Sequence, residues 1–272
     1  MYARSCALAA AAVLAVFVTG CSKDRASPAP AVSSSPPVAS SGQASGRRTD
    51  TFATSKGELG VTPIRHGSLL FEYGGKTIYV DPSIDEDAVV DARLRTLPKA
   101  DYLFMTDIHP DHLDPHAISL VKKDGTVLVG PPAVGEKTSL SVTLKNGESK
   151  DFGAFSAAAV PMYNRTRGPG PGQLFHDKGR GNGYIFTFGD KRVYVSGDTE
   201  CTPEMRALAN IDVAFVCMNL PYTMPPAEAA ECVKAFKPKV VFPYHYRDSN
   251  LSEFEEPVRA AGASEVRIRS WY

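Results

Sequence analysis

The sequence predicts an α+β fold, a four-layer αβ/βα sandwich in which two mixed β-sheets lie face to face with helices outside. Short apolar runs of strand length recur between residues 62 and 242, and segments with helix-start signals are interspersed among them. Polar residues directly follow several of these runs, and ligand sites of sheet proteins gather at such strand ends. We therefore expect a site at one edge of the sheets.

Strand-like runs and helical segments alternate along this part of the chain. The predicted strands are Thr62–Ile64, Ser68–Tyr73, Thr77–Val80, Tyr102–Met105, Thr126–Val129, Tyr184–Phe188, Val193–Ser196, Val213–Cys217 and Val240–Phe242. The predicted helices are Pro115–Lys123, Pro203–Ala209, Ala227–Phe236 and Glu253–Ala261. Asp114 is the expected N-cap of the first helix, and Pro115 suits its first turn.

The N-terminal residues predict export. Residues 1–20 carry one charge, Arg4, and an apolar run from Ala7 to Val18 that is too short to span a bilayer, so they are typical of a secretory signal. The end of this segment, Val18-Thr19-Gly20-Cys21, resembles the lipobox of bacterial lipoproteins, in which the cysteine is acylated. This resemblance implies a lipid anchor at Cys21 and a place in the bacterial envelope, on the outer membrane facing the periplasm. A cleaved signal without lipid is the alternative.

Two further segments follow the predicted signal. Residues 21–55 are rich in Ser, Ala and Pro and nearly lack large apolar residues, which predicts a disordered tether. Residues 56–272 have the length of a single α/β-type domain.

A dense cluster of metal-ligand residues follows the predicted strand that ends at Met105. Asp107, His109, Asp111 and His112 fall within six residues. Imidazole nitrogen and carboxylate oxygen suit zinc and its first-row neighbours. The alternative is a polar loop that caps the following helix.

Other candidate residues follow predicted strands elsewhere. Asp198 comes shortly after Val193–Ser196, His245 follows the run that includes Val240–Phe242, and Asp81 follows Thr77–Val80. His176 lies in a Gly-rich loop, where a solvated histidine is the alternative. His116, on the first turn of a helix, is expected at the surface.

These motifs together resemble the metallo-β-lactamase-fold hydrolases, whose signature is His-x-His-x-Asp-His, a later His, a Gly-Asp-Thr-like Asp and a final His. The resemblance covers Leu59 to about Tyr246. Ile64-Arg65-His66-Gly67-Ser68 followed by Asp81-Pro82 is similar to the branch that contains sugar-lactone hydrolases and N-acylphosphatidylethanolamine phospholipase D.

The resemblance implies two divalent metal ions, with zinc favoured and manganese or iron as alternatives. The ligands carried over are Asp107, His109 and His176 at one ion and Asp111, His112 and His245 at the other, with Asp198 between them. Asp107 stands where the family usually has its first His. Because a third carboxylate makes the centre more neutral, we expect a weaker Lewis acid and incomplete occupancy of the first site.

The implied reaction is hydrolysis by a hydroxide that bridges the two ions. Asp111 would orient this nucleophile and move its proton, which makes it the candidate catalytic residue. A small ester, lactone or phosphodiester is the expected substrate. The alternatives are lipid phosphodiester cleavage, as in the phospholipase, and a non-catalytic metal-binding envelope protein with a degenerate site.

Four further residues are candidates for the substrate side or for supporting the ligands. Asp81 is expected to hold a loop or a ligand His, and His66 is either a supporting residue or an ordinary buried imidazole. Arg180 belongs to a Gly-rich loop, residues 164–183, whose cations would attract an anionic group or would simply be solvated. Tyr222 lies in a segment, residues 218–224, that lines the opposite wall or packs in the core.

Charge and cysteine content constrain the remaining possibilities. Thirty basic and thirty acidic side chains balance, which gives no support to nucleic-acid binding. The three cysteines after Cys21, namely Cys201, Cys217 and Cys232, permit at most one disulfide and one free thiol. Small packed cysteines are favoured over an approach of Cys201 to the metals, and the sequence leaves the disulfide state and the oligomeric state open.

Overall fold

Two seven-stranded sheets form the centre of the protein in the computed structural model, which describes residues 49–272. The first sheet contains, in spatial order, Asp50–Thr54 (β1), Gly57–Arg65 (β2), Ser68–Tyr73 (β3), Lys76–Val80 (β4), Tyr102–Phe104 (β5), Val127–Gly130 (β6) and Val142–Thr143 (β7). Neighbours from β1 to β4 are antiparallel, whereas β4 to β7 are parallel.

The second sheet repeats this plan. It contains Ser149–Asp151 (β8), Ser156–Met162 (β9), Gly181–Phe188 (β10), Lys191–Val195 (β11), Val213–Cys217 (β12), Val240–Tyr244 (β13) and Glu265–Val266 (β14). Neighbours from β8 to β11 are antiparallel and those from β11 to β14 are parallel. The two halves therefore present the carboxyl ends of parallel strands in the same manner.

Helices connect the parallel strands because a parallel pair needs a crossover. They are Ala88–Thr96 (α1), Pro115–Val121 (α2), Pro132–Gly135 (α3), Pro203–Arg206 (α4), Pro226–Phe236 (α5) and Ser252–Ala260 (α6). The predicted start of α2 is confirmed: the Asp114 side chain accepts hydrogen bonds from the backbone N–H groups of His116 and Ala117. None of the helices in the described part of the chain is long and apolar enough to cross a membrane.

Aromatic side chains fill the space between the sheets. Phe186 of the second sheet lies with its ring centroid 4.9 Å from that of Phe104 and 5.5 Å from that of Phe71, both in the first sheet. A separate apolar cluster, which includes Tyr79 and Leu103, packs under α1 and α2 on the other face of the first sheet. The expected sandwich of two sheets with outer helices is confirmed.

The predicted tether ends too late. β1 (Asp50–Thr54) lies within residues 21–55, yet it pairs with β2, and Arg269 forms a two-point ion pair with the buried Asp50. Phe52 also packs against the ring of Phe242. The polar composition concealed β1 because an edge strand needs only one apolar face. The predicted signal and Cys21 lie outside the described residues.

Candidate metal centre

The candidate ligands meet at one edge of the two sheets because several strands end there in sharp turns. His66 follows β2, Asp81 follows β4 and His245 follows β13, and these three residues have φ values of 50°, 46° and 50°. Such left-handed conformations are strained for residues other than glycine. Gly197, with φ 60°, makes the equivalent turn after β11, where a Cβ would lie 2.4 Å from the sulfur of Met162.

Four of the predicted ligands form one set, which we call site two: Asp111, His112, Asp198 and His245. Their ligand atoms lie within 4.8 Å of one another. Nε2 of His245 is 3.2 Å from Oδ1 of Asp198 and 3.3 Å from Oδ2 of Asp111. Each residue can therefore direct one atom to a common point.

The other three predicted ligands form site one: Asp107, His109 and His176. Oδ2 of Asp107 lies 2.9 Å from Nδ1 of His109 and 3.8 Å from Nε2 of His176. Asp198 links the two sites, since its Oδ2 is 3.4 Å from Nε2 of His176 and 3.3 Å from Nε2 of His112. The expected bridging position of Asp198 agrees with this geometry.

The site contains buried nitrogen atoms that call for a ligand. Nε2 of His112, His176 and His245 has no hydrogen-bond partner among the described residues. Buried polar atoms are almost always satisfied, so three unpartnered imidazole nitrogens facing one another indicate a metal site. The residues present therefore fit divalent ions.

Neighbouring residues hold the imidazoles in the orientation that metal binding needs. Nδ1–H of His112 donates to Oδ2 of Asp81 over 2.8 Å, and Thr106 fixes Asp81 through its N–H and hydroxyl. Nδ1–H of His176 donates to Oδ1 of Asn164 over 2.6 Å. These bonds leave each Nε2 lone pair free for an ion.

His66 lies beside the carboxylate of Asp111 and supports it. It is fully buried, its Nε2 lies 3.1 Å from Oδ2 of Asp111, and its Nδ1 is hydrogen-bonded with the hydroxyl of Tyr272. Burial and the neighbouring His245 lower the pKa of His66 to about 4, although Asp111 opposes the shift. His66 is therefore neutral near pH 7.

Sequence reasoning missed three of these supporting residues. Thr106 was detectable, because it directly precedes the ligand cluster. Asn164 opens the Gly-rich loop but carries no motif, and Tyr272 lies at the far end of the chain. Only the folded structure brings the last two beside ligands.

Of the two places considered for Arg180, the structure shows the one that supports a ligand. Its Nε and terminal nitrogen donate to Oδ1 and Oδ2 of Asp107 over 3.1 and 2.9 Å. This two-point pair gives the buried carboxylate a fixed orientation and a counter-charge. The carboxylate that replaces the family's first His is therefore matched by a guanidinium within the same site.

The other cations of the Gly-rich loop are also engaged in the protein. Arg165 donates to the backbone oxygen of Cys201, Arg167 pairs with Glu200 and Glu228, and Lys178 pairs with Glu204. Three of the four loop cations are paired with carboxylates, which gives no support to the interpretation of this loop as an anion-attracting flap, and that interpretation stays a prediction.

The carboxylates of the centre are strongly acidic. Burial disfavours the ionised form of Asp198, but the charges of His245 and His112 outweigh it and hold its pKa well below its ordinary value. The pKa of Asp107 falls to about 2, because the hydrogen bond and charge of His109 outweigh burial. Conversely, Asp198, Asp111 and Asp81 overcome burial and raise the pKa of His112 well above its ordinary value.

A cavity of about 910 Å³ opens onto the candidate ligands. Phe175, Leu220, Pro221 and Tyr222 line one side. Tyr222 thus lies at the cavity as predicted for this wall, whereas Met218 and Met224 are buried in the core. His116 is exposed on α2, where its Nε2 contacts Asp91.

One disulfide lies close to the site. Cys201 and Cys232 are bonded, and Cys217 is a free, buried thiol in β12. The sequence left the disulfide state open, and the structure pairs Cys201 with Cys232 because the loop after Asp198 lies directly against α5. The limit of one disulfide and one free thiol is confirmed.

Comparisons with known proteins agree with this geometry. Residues 60–245 match the sequence profile of a family described as the beta-lactamase superfamily domain. A UPF0173 metal-dependent hydrolase from Geobacillus sp. (strain WCH70) is 30% identical over 197 residues, which cover 68% of this chain and 84% of that protein. A similarly named protein from Pelotomaculum thermopropionicum is 28% identical and covers 77% of this chain and 96% of its own length.

Solved structures show the same architecture. A crystal structure from Parabacteroides distasonis ATCC 8503, whose name proposes a metal-dependent hydrolase, is 40% identical with a TM-score of 0.75 and covers 82% of this chain and 98% of its own. Igni18, a metallo hydrolase from Ignicoccus hospitalis, is 23% identical with a TM-score of 0.64 and covers 77% of this chain and 94% of its own, which supports the fold.

Proposed function

Because this chain belongs to the beta-lactamase superfamily and to its UPF0173 metal-dependent hydrolases, we propose that it cleaves a small ester, lactone or phosphodiester with two divalent ions. The observation that carries the proposal is the pair of ligand sets that share Asp198, with unpartnered imidazole nitrogens directed between them. Zinc is the favoured ion, and manganese or iron are alternatives because carboxylates are among the ligands.

Bound between these residues, two divalent ions would lower the pKa of a shared water and polarise the carbonyl or phosphoryl oxygen of the substrate. Side chains around the ions would orient the attacking water. Asp111 stays ionised, because the charge of His112 and the neighbouring imidazoles of His245 and His66 outweigh burial and hold its pKa well below its ordinary value. Its carboxylate can therefore accept a hydrogen bond from the attacking water and orient it.

Arg180 offsets the effect of Asp107 on the charge of the metal centre. A carboxylate in place of an imidazole removes one unit of positive charge, and this was the reason to expect a weaker Lewis acid. The guanidinium of Arg180, 2.9 Å from Oδ2 of Asp107, returns that unit. We infer that the centre keeps the acidity of an all-histidine site.

The resemblance of residues 64–68 and 81–82 to the lactonase and phospholipase branch supports lactones and lipid phosphodiesters as substrates to test. We also propose that Cys21 is lipid-anchored in the envelope, on the outer membrane facing the periplasm. The Cys201–Cys232 disulfide supports export, since such bonds persist in oxidising compartments.

The experiment is a screen of esters, lactones and phosphodiesters with the metal-loaded protein, its Asp111→Ala variant and a surface control, Asp190→Ala. We expect turnover in the wild type and the control, and a loss of at least about 10²-fold in Asp111→Ala. If ions bind but no substrate is turned over, the proposal fails and the non-catalytic metal-binding alternative replaces it.

A further inference from the structure

The cavity beside the metal centre has an apolar wall, which we define as Phe175, Leu220, Pro221 and Tyr222. Leu220 and Tyr222 keep 52% and 46% of their surface exposed, although both are large and apolar enough to be buried. The ring of Phe175 packs edge-on against Tyr222 with centroids 5.1 Å apart. A preformed apolar surface of this kind gains free energy when a ligand covers it.

The side chain of Asn164 connects the wall to the metal centre. Nδ2 of Asn164 donates to the backbone oxygen of Tyr222 over 2.9 Å, while Oδ1 of Asn164 accepts from His176. The apolar group of a ligand on the wall would therefore lie at a defined position relative to site one.

The carboxylate and guanidinium groups that line the cavity are mostly acidic. Five carboxylates face it, against one guanidinium among the described residues. The carboxylates belong to Asp85, Glu86, Asp111, Asp114 and Asp198, and the guanidinium to Arg247. That guanidinium is itself paired with Asp85 over 3.3 Å.

No surplus of positive charge is available for an anionic substrate. Five carboxylates and one guanidinium leave four negative charges, which two divalent ions would only cancel. The cations of the Gly-rich loop do not line this cavity, and Arg167, Lys178 and Arg180 are already paired with carboxylates. An anion would enter a cavity that is neutral at best and would lose hydration without a compensating partner.

We propose that the substrate is an uncharged ester or lactone whose apolar part lies against the wall of Phe175, Leu220, Pro221 and Tyr222. This inference rests on the proposed hydrolase function and narrows it, because it disfavours the phosphodiesters. In the reaction the carbonyl carbon gains the oxygen of water and loses its bond to the alcohol oxygen. One proton of the water passes to that alcohol and the other leaves the acid product.

The first test compares two esters that differ only in charge, 4-nitrophenyl hexanoate and the mono-4-nitrophenyl ester of adipic acid, with the metal-loaded full chain. The reacting groups are the same, so the ratio of the two kcat/KM values measures the effect of a carboxylate in place of the terminal methyl group. We expect the neutral ester to be favoured by at least about tenfold. Equal values, or a preference for the anion, would overturn the inference.

The second test removes the wall. Leu220→Ser and Tyr222→Ala should each raise KM for 4-nitrophenyl hexanoate by roughly tenfold. The KM for 4-nitrophenyl acetate, whose acyl group is shorter, should change much less. Both residues are exposed, so folding should be preserved. Ile268→Ser is the matched control, because Ile268 is also an exposed apolar residue but does not line the cavity. Equal effects on both esters would rule out a role of the wall in substrate binding.

Failure of the proposed function can be told apart from failure of this inference. Ligand-observed NMR on the metal-loaded full chain needs no turnover and compares hexanamide with the monoamide of adipic acid. Contact of the neutral amide alone, lost in Tyr222→Ala, would support the inference even if no ester were hydrolysed. Preferential contact of the anionic amide would contradict it while leaving the hydrolase proposal intact.

Discussion

Asp107 and Arg180 act as one unit although 73 residues separate them in the chain. The carboxylate is fully buried, and a buried charge without a partner is costly. The pair resolves the apparent conflict between a third carboxylate and a working metal centre. Its geometry also orients Oδ2 of Asp107, which lies next to His109 and His176.

Replacement of Arg180 by Met should therefore destabilise the protein most strongly when metal is absent. We expect a loss of roughly 3–5 kcal/mol in the free energy of unfolding of the metal-free protein, measured in urea, because Asp107 loses its counter-charge. The loss should shrink in the metal-loaded protein, where an ion supplies positive charge. Arg165→Met, at an exposed position in the same loop, should cost little in both forms; equal losses in both forms of Arg180→Met would contradict this explanation.

Metal uptake should release a proton from His112 near pH 7. Its pKa is raised in the metal-free protein, so it holds a proton there, and an ion must displace it. The stability that this protonated imidazole contributes is present below its unfolded pKa and is lost as pH rises through the raised folded pKa. The number of protons released on metal binding should also fall as the pH rises through the folded pKa of His112, because less of the imidazole is then protonated.

Titration calorimetry in buffers of different ionisation enthalpy measures this proton release. The Asp81→Asn variant serves as the comparison, because the Asp81 carboxylate helps to raise the pKa of His112. Fewer protons should be released by the variant at the same pH. Identical release in both proteins would show that His112 is not the source.

Among the strands, those that directly precede metal ligands could be predicted from the sequence, whereas those with a weak apolar pattern could not. β3 and β12 have the predicted bounds, since their apolar runs are continuous and bounded by clear signals. β9 was missed because its Ala-rich sequence has low strand propensity and contains Pro161. α1 was missed as well, although Asp87 caps it, because its apolar pattern is weak.

The disulfide between Cys201 and Cys232 should stabilise the connection between the loop after Asp198 and α5. The two cysteines have a sequence separation of 31, for which chain-entropy arguments give about 3–4 kcal/mol. We expect the double variant Cys201→Ser, Cys232→Ser to unfold about 10 °C lower in calorimetry. Cys217→Ser is the control, and an unchanged melting temperature in the double variant would show that the two cysteines are not bonded in solution.

The edge strand β1 should matter for stability despite its polar sequence. A chain that begins at residue 56 lacks the partly buried pair of Asp50 with Arg269 and the contact of Phe52 with Phe242. Relative to a chain that begins at residue 49, the first residue that the structure describes, it should lose roughly 2 kcal/mol and about 4–8 °C in melting temperature. Equal melting temperatures would support the originally predicted tether boundary.

At the scale of the whole molecule, the site could be predicted because strand ends of both halves meet at one edge. Asp107 to His112 follow β5, Asp198 follows β11 and His245 follows β13, and each position was detectable from the apolar run before it. The partners of these ligands were not detectable in the same way. Asn164, Arg180 and Tyr272 are placed by loops and by the C-terminus, whose conformations depend on tertiary contacts.

Sites one and two should each hold a divalent ion. Elemental analysis of the full chain measures the metal content, with Asp107→Ala and His112→Ala as variants that remove one ligand from each site. We expect about two ions per wild-type chain and about one in either variant. A wild-type chain with a single ion, unchanged in Asp107→Ala, would show that site one binds no metal and would overturn the proposed two-metal centre.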